Sequence, residues 1–198
     1  MRNVSEYLTE KYVEGETLVQ IRSELVRKKN ILLKNFFIAK KMSEILKEIN
    51  KSKLKEKYIP NQYKYSYLSP AVKMQKEVQL FFSFLLSQTF RNYVSFITGK
   101  KISTGNICVK IYDKGCYKLI HDTPVKERIR AIIDLTPFWE NLYGGTFGIH
   151  DGKEFLTIPL KQNDLSIILC NKNTRDFVLY VKHFAKRKKR VFVQVSFS

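Results

Sequence analysis

The residues whose types and order could do chemistry lie in Ile107–Arg130, ICVKIYDKGCYKLIHDTPVKERIR. The stretch begins as an alternating strand, turns at Asp113-Lys114-Gly115 and resumes as CYKLIH. It then delivers His121, one of three histidines in the chain, into a His-Asp-Thr-Pro break. A histidine at a strand end, with Asp122 beside it and Pro124 closing the element, is a common way to present a metal or substrate ligand at a barrel mouth. The competing reading is an ordinary strand-end histidine.

Other reactive residue types have plainer readings. His150 falls at a hairpin tip and reads as solvated. Cys108, Cys116 and Cys170 form no CxxC pair, which argues for a reducing compartment and against a disulfide scaffold. Cys116 and Cys170 read as small core residues of a sheet. No nucleophile elbow, P-loop or zinc-ligand spacing occurs.

The elements that must position these residues change in texture along the chain. Residues 1–29 read as polar helix in two pieces, separated at Gly15. Ile31–Phe37 reads as a short strand, and Ala39–Asn50 is an amphipathic helix with Met42, Ile45, Leu46 and Ile49 on one face. Asn61–Leu68 alternates polar and aromatic residues, as a half-buried strand does. Its tyrosines, Tyr63, Tyr65 and Tyr67, interleaved with lysine, also have the chemistry to stack on bases. Ser69-Pro70 opens a helical region to Ile97 that is rich in Phe and Leu, closed by a glycine cap at Gly99. From Lys101 onward about eight strands follow, among them Asn106–Tyr112, Arg128–Leu135, Phe177–Lys182 and Arg190–Phe197. Helices first and evenly spaced strands afterwards imply an α+β fold with a β-sandwich or barrel.

The chain has 198 residues, 44% of them hydrophobic, which suffices for one core. Thirty-six Lys and Arg against 18 acids give a formal net charge of +18. Such an excess implies an anionic partner, or a lysine-rich genome with solvated lysines everywhere. The densest basic run is Lys182–Arg190, KHFAKRKKR. The start is too charged for a signal peptide, and no apolar run reaches the roughly 18 residues of a membrane-spanning helix. A soluble, intracellular, cytoplasmic protein is therefore expected, with no membrane partner.

The order of several weak motifs resembles a known family. They are ILLKNFFIAKKMSEILKEIN, a helix ending FITGKK, the strand pair ICVKIYDKGCYKLIHD, RAIIDLTPFW, YGGTFGI, Pro159 and Asn163 before LSIILC, and RVFVQVSF at the end. Together they are similar to the prolyl-hydroxylase-like branch of the iron(II)/2-oxoglutarate-dependent dioxygenases. The resemblance implies a double-stranded β-helix, or jelly roll, flanked by N-terminal helices. It places an N-terminal helical extension at 1–29 and a single prolyl-hydroxylase-like domain at 30–198.

That family holds iron with a His-x-Asp pair and a second histidine, and holds the far carboxylate of 2-oxoglutarate with an arginine or lysine. Carried over, His121 matches the first ligand. Thr123 stands where the aspartate belongs, and the acid is Asp122, one place early. In a strand i and i+2 share a face while i+1 points away, so Asp122 ligates beside His121 only if the chain twists there. Asp176 stands where the second histidine belongs, and His183 lies further along. The 2-oxoglutarate arginine maps to Arg190, or to Arg187 if the hairpin is read without an insertion, and Tyr112 is a second cofactor-contact candidate.

Two functions follow. One is a jelly roll of dioxygenase descent without its metal, binding nucleic acid or an acidic protein through Lys182, Lys186, Arg187, Lys188, Lys189 and Arg190. The alternative is an active hydroxylase of a protein, amino acid or other small molecule. It would use Fe(II) and 2-oxoglutarate, with a rearranged metal set of His121, Asp122 and Asp176. A third reading is an unrelated β-sandwich.

Overall fold

The computed structural model describes residues 6–68, 74–120 and 128–198. Its four helices form where apolar side chains recur at helical spacing. Helix α1 (Gly15–Lys28) buries Ile21 and Leu25 and ends at Lys29 in the left-handed region. Helix α2 (Ala39–Lys51) buries Met42, Ile45 and Ile49, the spacing of one helical face. Helices α3 (Lys76–Leu85) and α4 (Gln88–Thr98) break apart at Ser87, whose hydroxyl accepts the amide of Phe90. Gly99 closes α4 at φ +66°, as its capping role requires. The expected helix start at Ser69-Pro70 lies outside the described residues; the helical region begins at Lys76.

The sheet has eleven strands among the described residues, and every pairing is antiparallel. They are β1 (Asn30–Leu33), β2 (Lys55–Ile59), β3 (Tyr63–Leu68), β4 (Gly105–Tyr112), β5 (Tyr117–Lys118), β6 (Ile129–Asp134), β7 (Phe147–His150), β8 (Phe155–Ile158), β9 (Leu165–Leu169), β10 (Arg175–Val178) and β11 (Arg190–Phe197). The order is β1-β9-β6-β11-β4-β3-β5-β10-β7-β8, with β2 on β3. Among the described residues eight strands follow Lys101, as the sequence spacing predicts. Strand β2 was not foreseen, because KEKYI is exposed at every position and shows no alternation. Strand β10 begins two residues before the expected Phe177, which puts Asp176 inside it.

Alternation along the central strands builds two cores. Ile107, Val109 and Ile111 of β4, with Val191, Val193 and Val195 of β11, face the helices. The N-terminal stretch joins that layer through Tyr7, Leu8, Tyr12, Ile21 and Leu25. The intervening residues Tyr112, Ile132 and Phe192 face the other way, into an interior closed by Tyr63, Tyr65, Phe147, Ile149 and Val178. This arrangement is the jelly roll. No helix among the described residues is long and apolar enough to cross a membrane.

Candidate functional site

Among the described residues the jelly-roll interior holds two buried ion clusters. The first surrounds Asp176. Strand alternation turns its side chain inward, beside that of Val178, and leaves the residue 5% exposed. Lys118 on β5 lies opposite Val178, so its ammonium meets Asp176 on the diagonal, 2.5 Å from Oδ1. Arg130 reaches the same oxygen across the interior from β6, in a very short contact. Burial pushes the Asp176 carboxyl up, but Lys118 and Arg130 beside it, with Lys110 further off, hold it well below the usual carboxylate range. Burial pulls the Lys118 ammonium down to about 8, against the attraction of Asp176.

This cluster does not fit an iron site. Asp176, which the resemblance aligns with the second histidine, is a carboxylate already met by two cations, and a divalent ion there would have to displace or face both. Among the described residues no three His, Cys, Asp or Glu side chains gather as metal ligands. The sequence-predicted ligands His121 and Asp122, and Thr123 with them, lie outside the described residues.

The second cluster surrounds Arg190. This guanidinium does not belong to the basic surface on which the sequence reading placed it: the residue is 4% exposed. Its Nη2 lies 2.6 Å from Asp134 Oδ2 and donates to the Leu160 carbonyl at 2.7 Å. Trp139 and Phe192 cover its faces at 5.3 and 5.1 Å from their ring centroids. Asp134 is fully buried, and its Oδ1 accepts the Thr136 amide at 2.8 Å. Burial pushes this carboxyl up, although Arg190 pulls it down. A carboxylate ligand would have to compete with Asp134 for the arginine.

Tyr112 is the cross-strand partner of Arg190 and points inward, but its hydroxyl finds no hydrogen-bond partner among the described residues. The two clusters are also far apart along β11. Arg190 opens that strand, whereas Arg130 pairs with Ser196, six residues on, which is on the order of 20 Å of strand.

Lys118, Arg130 and Asp134 escaped the sequence reading. The signal was present in Arg130-Ala-Ile-Ile-Asp134, an apolar strand with charges at two alternate positions. Charges on the same face as a core isoleucine are buried, and buried charges need partners. Of the base-stacking candidates, Tyr63 and Tyr65 are buried in the interior and offer no face to a ligand outside. Lys182, Lys186, Arg187, Lys188 and Lys189 are exposed, as expected for a basic surface.

A family model described as oxoglutarate and iron-dependent oxygenase degradation C-term matches residues 1–198. The chain belongs to that family. Solved structures agree on the fold. A prolyl-4-hydroxylase from Pseudomonas putida superposes with a TM-score of 0.72 at 12% identity, covering 91% of this chain and 97% of that one. A prolyl hydroxylase from Trichoplax adhaerens, in complex with a hypoxia inducible factor peptide fragment, gives 0.69 at 13% identity, with 94% of each chain covered. A viral collagen prolyl hydroxylase from Paramecium Bursaria Chlorella virus-1 gives 0.59 at 14% identity, over 86% of this chain and 96% of that one. No curated protein matches the chain. The fold is thus that of the prolyl-hydroxylase-like dioxygenases.

Proposed function

We propose that this chain is a dioxygenase-fold binding module that engages an anionic partner through its basic surface, and not a metal-dependent hydroxylase. The observation that carries this reading is the Lys118–Asp176–Arg130 cluster, in which two side-chain cations take the place of a metal's charge. The Arg190–Asp134 pair supports it, because the candidate 2-oxoglutarate arginine already has an internal carboxylate. The net charge of +18 favours nucleic acid or an acidic protein as the partner class.

Anaerobic calorimetry with Fe(II), and with Mn(II) as a stand-in, tests the first half, each with and without 2-oxoglutarate. The expected result is no binding up to millimolar metal. Micromolar binding that tightens with 2-oxoglutarate and vanishes in His121→Ala would overturn the reading. It would favour instead an iron(II)/2-oxoglutarate hydroxylase with a rearranged site.

A further inference from the structure

Two loops meet at one end of the jelly roll, residues 135–146 between β6 and β7 and residues 179–189 between β10 and β11. Each contains a short 3-10 turn, Asn141–Tyr143 and His183–Ala185, and the two turns pack together. Their charge is one-sided. Lys182, Lys186, Arg187, Lys188 and Lys189 stand against Glu140, the sole acid in either loop.

The same loops expose apolar side chains that a solvated lysine surface does not need. Phe138 is 89% exposed, Leu142 55% and Phe184 47%. Phe138 also has φ +50°, a left-handed conformation that bulky residues avoid. An aromatic ring held out in solvent by an unfavourable backbone is a feature from which function is inferred.

The platform beneath these side chains is fixed. Gly144 has φ +72°, and a Cβ there would lie 2.1 Å from the Tyr180 carbonyl oxygen, so only glycine lets the loops dock. Trp139 Nε1 donates to the Gly144 carbonyl at 2.8 Å. Lys188 reaches back to the Tyr143 hydroxyl at 3.0 Å and to the Phe138 carbonyl at 3.4 Å. Two clefts flank this lysine. One, of about 470 Å³, has Leu46, Pro137, Phe138 and Val191 in its walls and Arg187 and Lys189 on its rim. The other, of about 650 Å³, has Leu142, Phe184 and Ala185 in its walls and Lys186 and Arg187 on its rim.

We infer that this end of the molecule docks an acidic protein segment whose bulky apolar side chains enter the two clefts. The inference rests on the proposed reading of a partner-binding module and specifies the partner's chemistry. Charge complementarity selects an acidic occupant. The clefts select a protein over the other polyanions. Single-stranded nucleic acid needs successive open ring faces, and Phe138 offers one, whereas the Phe184 ring lies against His183 at 3.9 Å and Tyr143 is covered by Trp139 and Lys188. Leu46, Pro137, Val191 and Leu142 offer no stacking surface. A bilayer surface receives protruding wedges and leaves concave clefts unfilled.

The test is fluorescence anisotropy of the full chain with two labelled synthetic peptides. One is a run of glutamates interrupted by two leucines; the other has serines in place of the leucines. The leucine peptide is expected to bind at least about tenfold more tightly, the scale of one buried anchor. Phe138→Ser and Leu142→Ser, both at exposed positions, are expected to erase that difference with unchanged melting temperature. Lys186→Glu with Arg187→Glu is expected to weaken both peptides. Equal binding of the two peptides would overturn the docking inference while leaving an anionic partner in place. Tighter binding of a single-stranded RNA, or of phosphatidylserine vesicles, with loss in Phe138→Ser would also overturn it, in favour of that polyanion. No binding of any of these polyanions at low salt would remove the anionic-partner reading itself.

Discussion

Asp176 and Asp134 are both carboxylates in the jelly-roll interior, both in contact with cations, yet burial prevails at one and charge at the other. Asp176 touches Lys118 and Arg130 and senses Lys110, and its carboxyl is held far down. Among the described residues Asp134 meets one cation, Arg190, and has Asp164 nearby, and burial pushes its carboxyl up. Desolvation opposes ionisation at both sites, so the number of facing cations decides the sign. At Asp176 the described side chains hold more positive than negative charge, and burial, helped by Lys110 and Arg130, brings Lys118 down to about 8 against the pull of Asp176. That environment suits an anion and opposes a divalent metal. At Asp134 one cation meets one anion through Nη2 of Arg190, so an incoming carboxylate would share the guanidinium with Asp134.

The contrast has its largest consequence for stability. Asp176→Asn strands two buried cations, and a loss of about 3–5 kcal/mol is expected in urea unfolding at pH 7. Arg190→Met strands a carboxylate that burial already pushes toward its protonated form. The expected loss is about 2–3 kcal/mol at pH 7. It should shrink at pH 5, because the folded variant takes up a proton that the unfolded chain, with an ordinary aspartate, does not. Equal losses in the two variants at both pH values would break the distinction.

An acid titration sharpens it at the other site. The folded pKa of Asp176 is depressed, so its stabilisation is present above the ordinary aspartate value of about 3.9 and is lost as pH falls below it. The stability gap between the parent protein and Asp176→Asn is therefore expected to hold from pH 7 to 5 and to narrow between pH 4 and 2. A gap that stays constant to pH 2 would mean that Asp176 carries no special stabilisation.

The fold was legible in the sequence because period and order sufficed. The i, i+3, i+7 stripe of Met42, Ile45 and Ile49, the cap at Gly99 and the eight-strand texture after Lys101 all appear in the structure. Strand β2 was illegible, since an exposed edge strand has no buried face to impose alternation. The site was less legible for a different reason. Aligning Asp176 with a metal ligand said nothing of what faces it. Lys118 and Arg130 come from strands separated from it by dozens of residues, and only the closed interior brings the three together. Arg190 shows the same limit: within KHFAKRKKR it reads as one more surface charge, yet strand pairing of β11 turns it inward to Asp134.

The smallest expected effect tests the cofactor end of the comparison. The Tyr112 hydroxyl is buried and lacks a hydrogen-bond partner among the described residues, and burial raises its pKa. An unpaired buried hydroxyl is a liability to the folded state, so Tyr112→Phe removes a desolvation penalty and no bond. A change between zero and about 1 kcal/mol in the stabilising direction is expected. A hydroxyl kept for a bound 2-oxoglutarate would give a different signature. The parent protein would then melt at a higher temperature with millimolar 2-oxoglutarate, and Tyr112→Phe would lose part of that rise. Equal melting temperatures with and without 2-oxoglutarate in both proteins would mean that Tyr112 holds no 2-oxoglutarate.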